Sequence, residues 1–314
     1  MTEALQNLFW ILIFPGFLFT VCFGLIASWI VRKVSALVQW RVGPPLFQPF
    51  YDVVKLIGKE ILVPQEAQKA VFMAAPLVGM AGILLLSTML WRIAFVPAKP
   101  FVGDIIVAIY LMVLPSLALI LGSSASASPH AAIGTSREMK LVMGYELSLV
   151  LAFIVVIIKT GGTLNLAEIA QNTTVFSISN ILAFLVALLC IQAKLGFVPF
   201  DIAEAETEVM SGVMVEYSGA LLAFWKLTQA IMLVALPLFL VTVFLGGFGA
   251  GLAGVLAGLG KYVLVLVLLI LIKNTNPRVR IDQAMKFFWV YCGIALVAAI
   301  ILAITGNYYG IIWL

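Results

Sequence analysis

Eight stretches of this chain stay apolar for about 20 residues each, the length a helix needs to cross the hydrocarbon core of a bilayer. They fall at about 8–30, 69–91, 103–124, 139–158, 177–197, 212–243, 256–274 and 284–304. In lipid each backbone amide must be satisfied internally, and unbroken apolar runs achieve this as helices. The expected fold class is an all-α polytopic membrane protein of about eight transmembrane helices, forming a single membrane domain over residues 1–314. With 64% hydrophobic and 10% charged residues, the composition excludes an ordinary soluble domain. The run from Leu8 outlasts a signal-peptide core and lacks a small-residue cleavage pattern, so it reads as a retained span.

Sorting the 18 Lys and Arg residues by alternate loops puts 13 on one side, four on the other and Lys226 inside a span. The positive-inside bias then predicts both termini outside, with the long first loop and the acidic loop cytoplasmic, in a multi-pass cell (plasma) membrane protein. The net charge of +4 is a topology signal and gives no argument for nucleic acid. Cys22, Cys190 and Cys292 stand singly in predicted spans and His130 is the lone imidazole, so a protein-held iron–sulfur, haem or zinc site is not expected.

The first loop holds about 38 residues, too many for a plain connection. Within it Phe50, Val53, Val54, Ile57 and Ile61 recur at helical spacing, predicting an amphipathic interfacial helix at about 48–61 that Pro64 terminates. Between the third and fourth runs, Ser136 reads as an N-cap and Arg137 as an anchor for the next helix.

Charge is concentrated in one place. Asp201, Glu204, Glu206, Glu208 and Glu216 supply five of the chain's 14 acids, in the loop at about 198–211 and at the edge of the next run. If 201–208 is helical, Asp201, Glu204 and Glu208 share a face, and mutual repulsion with desolvation raises at least one carboxyl pKa, as a proton relay needs. A solvated acidic loop that docks a basic partner is the alternative reading. Glu216 is expected about one turn inside its span and Lys226 near mid-membrane, where an ionisable group needs a wet or paired interior. Glu146 falls near the bilayer centre beside Tyr145, and Glu138 reads as a relay acid or as a capping acid at a helix start. Arg278, Arg280 and Asp282 cluster before the last run, where two guanidinium groups suit a carboxylate clamp.

The string Pro199-Phe-Asp-Ile-Ala-Glu-Ala-Glu-Thr-Glu208, followed by Glu216-Tyr-Ser-Gly219, resembles the signature of the respiratory complex I membrane subunit at the quinone-site junction, the NADH dehydrogenase subunit 1 family. Gly43-Pro44, Gln48-Pro49, Asp52, Lys55, Arg137-Glu138, Tyr145-Glu146 and Arg278-Val-Arg-Ile-Asp-Gln283 extend the likeness in order over nearly the whole chain. The first loop, Arg41-Val-Gly-Pro-Pro-Leu-Phe-Gln-Pro49, is more compact than in quinone-reducing members and is similar to the membrane subunit of energy-converting [NiFe] hydrogenases and related sulfur reductases.

The resemblance implies an anchor and proton-coupling subunit between a peripheral redox arm and antiporter-like pump subunits, with no redox centre of its own. It makes Asp201, Glu204, Glu206, Glu208, Glu216, Glu146 and Glu138 the acidic path, and the residues themselves add Tyr145 and Lys226. Arg41, Gln48, Asp52, Lys55, Arg137, Arg278, Arg280 and Asp282 are expected at the junction with the peripheral arm. Partners carrying iron–sulfur clusters, and a nickel–iron centre in the hydrogenase type, are implied.

Overall fold

The computed structural model describes residues 8–95, 104–173, 176–205, 208, 210, 212–249, 251–311 and 313. Glu206 lies outside the described residues. Among them the fold is all α, with no strand.

The elements run α1 (Phe17–Val38), α2 (Gln48–Ile57), α3 (Lys69–Phe95), α4 (Asp104–Ser124), α5 (Pro129–Lys159), α6 (Leu166–Asn172), α7 (Ile178–Lys194), α8 (Gly219–Phe244), α9 (Gly251–Thr275) and α10 (Ile281–Tyr309). Among the described residues seven helices are long and apolar enough to span a membrane, the first counted from Leu8, and the 17-residue α7 is a shorter apolar eighth. At about 25 Å, α7 falls just short of the hydrocarbon thickness.

Helix α8, with Lys226, Thr228 and Gln229 gathered in its first half, forms the centre of the bundle. In its most apolar stretch 94% of residues are buried, against 28% in α10, whose outer side is left for lipid. Around α8 stand α1, α3, α7 and α9, with α4 against α3, and α5 and α10 against α7. Small residues permit the closest crossings: a Cβ at Gly24 of α1 would sit 2.5 Å from the Ala230 carbonyl oxygen of α8. Edge-on aromatic pairs such as Phe153–Phe239, 5.2 Å between centroids, fill the space between α5 and α8. Helix α10 widens into a π turn at Phe287–Cys292, and the Phe288 carbonyl accepts a 2.9 Å hydrogen bond from Ser148 Oγ of α5.

Several sequence expectations need correction. The amphipathic helix ends at Ile57 rather than 61, because Gly58, a poor helix former, caps it well before Pro64. Pro49 and Val53 face the bundle, while Tyr51, Val54 and Ile57 stay exposed. Helix α5 begins at Pro129, with Ser128 and not Ser136 in the N-cap position. Proline at the first helical position suits a helix start, and Glu138 is consequently nine residues in, too far to cap it. Helix α8 begins at Gly219 rather than 212, after a short 3-10 turn at Gly212–Met214. Glu216 therefore precedes the helix instead of lying inside it, and Lys226 is about 10 Å from the helix start, short of the helix midpoint.

Candidate functional site

The acidic segment is bent and not helical between Asp201 and Ala205. Its apolar residues explain why: Phe200, Ile202, Ala203 and Ala205 are buried, so the backbone stretches to seat them and the intervening acids point elsewhere. Backbone contacts fix the trace, with Val279 N–H donating to the Pro199 carbonyl at 3.0 Å. The expected shared helical face for Asp201, Glu204 and Glu208 does not form. Each acid meets a different element: Asp201 accepts from Arg278 at 2.6 Å, Glu204 from Gln229 Nε2 of α8 at 3.3 Å, and Glu208 from Arg137 of α5 at 2.5 Å.

Beneath this segment lies a cavity of about 760 Å³. Asp201 and Glu204 line it from the acidic loop, Glu138 from α5, Lys194 from the end of α7, and Lys226 and Gln229 from α8. Residues three apart on a helix share a face, so Lys226 and Gln229 reach the cavity together. Lys226 Nζ donates to Gln229 Oε1 at 3.3 Å, completing a chain Glu204–Gln229–Lys226. Glu138 lies within electrostatic reach of both Glu204 and Lys194.

Lys194 leads inward. Its ammonium is fully buried, pairs with Glu146 of α5, donates to the Met112 carbonyl at 3.1 Å and sits 5.2 Å over the Tyr145 ring. Glu146 is thus paired by a lysine, while the Tyr145 hydroxyl meets Ser116 Oγ at 3.4 Å. Burial raises the Glu204 carboxyl above its ordinary range, with Lys226 opposing and Asp201 reinforcing the shift. A folded-state pKa above the unfolded one means that stability falls as pH rises through that window, since only the unfolded chain ionises freely there. Glu204→Gln is therefore expected to flatten the decline in thermal stability just above the ordinary carboxylate range, measured by unfolding midpoints across pH.

At the rim, Asp52 of α2 accepts from Arg32 of α1 at 2.8 Å and from Gln48 at 3.0 Å. Arg32 holds its pKa below the usual carboxylate value against a smaller effect of burial. Because both partners are over 40% exposed, Asp52→Asn is expected to cost under about 1 kcal/mol in denaturation. That contribution is present above the ordinary carboxylate pKa and disappears as pH falls through the depressed one.

Other expected residues lie apart. Glu216 is half-exposed in the turn before α8, Arg41 is exposed on the first loop, and Asp282 sits in the first turn of α10. The Arg280 backbone N–H donates to Gln283 Oε1 at 3.3 Å. Sequence reasoning missed Arg32 and Lys194, counting them only as topological charges, and passed over Ser116 and Gln229. Gln229 carried a signal, its spacing of three from Lys226.

A bundle of apolar helices around α8, with buried and half-buried charges converging on a cavity under an acidic loop, defines a polytopic membrane protein that gathers ionisable groups at one end. The family model described as NADH dehydrogenase matches residues 10–304. The chain is 34% identical over 304 residues to the H-type subunit of the NADH-quinone oxidoreductase of Anoxybacillus flavithermus, covering 91% of this chain and 89% of that one. The corresponding protein of Syntrophotalea carbinolica is 34% identical over 309 residues, covering 92% and 93%. In structure the chain is similar to one in the membrane-bound sulfane sulfur reductase, an archaeal respiratory membrane complex, with a TM-score of 0.84, 28% identity and coverage of 96% and 100%. The chain belongs to the NADH dehydrogenase family, as a membrane subunit of the complex I-like kind.

Proposed function

We propose that this chain is the membrane anchor and proton-coupling subunit of an ion-translocating, complex I-like oxidoreductase of the membrane-bound hydrogenase type. The reading rests on one observation: ionisable groups on the acidic loop, α5, α7 and α8 converge on a single cavity and continue inward as the pair Lys194–Glu146. Clustered carboxyls and amines whose proton affinities depend on one another titrate as a unit, so a charge change at one end redistributes protons along the set. In this reading Asp201 and Glu204 face a peripheral redox arm, with Glu138, Lys194 and Glu146 passing the disturbance toward antiporter-like subunits.

The chain holds no cofactor in this proposal; iron–sulfur clusters and a nickel–iron centre belong to peripheral large, small and iron–sulfur subunits. The cavity end is cytoplasmic and the membrane is the cell membrane. The solved sulfane sulfur reductase supports a sulfur-reducing variant of the same reading, which the nickel content of the purified complex separates: stoichiometric nickel is expected for the hydrogenase type.

Glu204→Gln in the assembled complex tests the relay. It keeps size and hydrogen bonding and removes the titratable proton. Ion translocation in proteoliposomes should fall at least tenfold, about 1.4 kcal/mol on the coupled step, with subunit composition unchanged. Wild-type pumping in that variant would refute the relay. A scaffold role is the second reading, favoured by the pairs Arg278–Asp201 and Arg137–Glu208, which use two of the acids structurally. In that case Asp201→Asn and Glu208→Gln would release the peripheral arm on pull-down while Glu204→Gln left pumping intact.

A further inference from the structure

The rim of the cavity carries more positive charge than its own acids balance. Seven cationic side chains line the cavity as a whole against four acidic ones. Arg32 and Arg278 are matched by Asp52 and Asp201. Lys55 of α2, Lys59 just after it and Lys273 at the end of α9 also line it, and among the described residues no carboxylate comes within ion-pair distance of these three. Lys273 lies within electrostatic reach of Asp201, which Arg278 already engages, and of Arg32, and its ammonium sits 4.3 Å over the Phe197 ring. Asp52 and Asp201 are each taken up by an arginine, so the lysines beside them leave a net positive rim that suits a further anion.

The surroundings select the kind of anion. Below the rim the wall turns apolar, with Leu25, Val53, Leu56, Met232 and Leu233. The opposite side of α2 presents Tyr51, Val54 and Ile57 to the outside, as an interfacial helix does at the level of lipid headgroups. A small water-soluble anion would use the cations and gain nothing from the apolar wall; a phospholipid uses both. We propose that the cavity mouth between α1, α2 and the end of α9 binds an anionic phospholipid, its phosphate headgroup on Arg32, Lys55 and Lys273 and its acyl chains against the apolar wall. This site is independent of the relay reading, since it requires no proton movement.

The test uses the whole complex in nanodiscs of mixed phosphatidylglycerol and phosphatidylcholine, with bound lipid counted by native mass spectrometry. Wild type should retain phosphatidylglycerol selectively. Arg32→Gln combined with Lys273→Gln should weaken that retention about thirtyfold, as expected for removing two cations near an anionic surface. Lys69→Gln, an exposed residue on α3 outside the cavity lining, should change nothing. Arg32→Lys with Lys273→Arg, which keeps both charges and guards against a folding artefact, should retain the lipid. Equal retention in the double glutamine variant overturns the proposal. So does loss of the lipid from wild type in millimolar inorganic phosphate, which would mark a free-anion site. Carbodiimide cross-linking of Lys273 to an acid of another subunit would assign the cations to a protein partner and likewise overturn it.

Discussion

Lys194→Met is expected to destabilise the protein by about 3–5 kcal/mol, read as a lower unfolding midpoint and a reduced yield of intact complex. The lysine side chain is completely buried and its partner Glu146 is 18% exposed, so removing the ammonium strands a carboxylate that water barely reaches. Methionine fills a similar volume, which confines the loss to charge and hydrogen bonding. The Met112 carbonyl loses its 3.1 Å donor as well. Pairing Lys194→Met with Glu146→Leu should recover most of the stability, because two apolar groups in place of a buried ion pair cost little. Ion translocation should stay low in that double variant if the pair belongs to the relay. A single Lys194→Met protein that unfolds like wild type would show that the buried pair is not what holds α5 to α7.

The second large effect is expected at Gly212, which opens the 3-10 turn behind the acidic segment. Its φ is +49°, and a Cβ there would sit 2.0 Å from the Ala203 carbonyl oxygen. Alanine would cost about 1–2 kcal/mol for the left-handed backbone alone. The collision adds roughly 1–3 kcal/mol, since the obstacle is main chain and cannot rotate away. Ala203 adjoins Glu204, so Gly212→Ala should also pull that carboxyl off Gln229 and depress turnover in the assembled complex. Gly196→Ala is the control. Gly196 has a φ of +63° with nothing within 4 Å of an added Cβ, so only the backbone cost applies. Equal unfolding midpoints for the two variants would rule out the contact with Ala203 as the cause.

How much of this was legible in the sequence depends on the length scale of the signal. The spans announced themselves because 20 apolar residues in a row have one physical solution in a bilayer. Their boundaries did not. Residues 212–218 are apolar enough to prolong the next run, yet the left-handed Gly212 and the turn after it delay α8 until Gly219, which moved Glu216 and Lys226 relative to the helix. The acids were visible as a cluster, but their arrangement was not: Phe200, Ile202 and Ala203 had to be buried against distant helices, and that demand overrides helical spacing. Lys194 was hidden because a lysine at the end of an apolar helix looks like a cytoplasmic anchor. Only the approach of Glu146, 48 positions earlier in the chain, gives it another meaning.

The acidic segment hangs from three hooks on separate bodies: Asp201 on the strap that leads into α10, Glu204 on α8 and Glu208 on α5. Neutralising Asp201 or Glu208 removes an ion pair at one corner, whereas a neutral Glu204 still accepts from Gln229. The strip stays seated by its buried residues, Phe200, Ile202 and Ala205, and by the backbone bond from Val279 to Pro199. Losing one acid therefore loosens a corner of the segment without releasing it, because its position is shared among three separate contacts and its own buried residues.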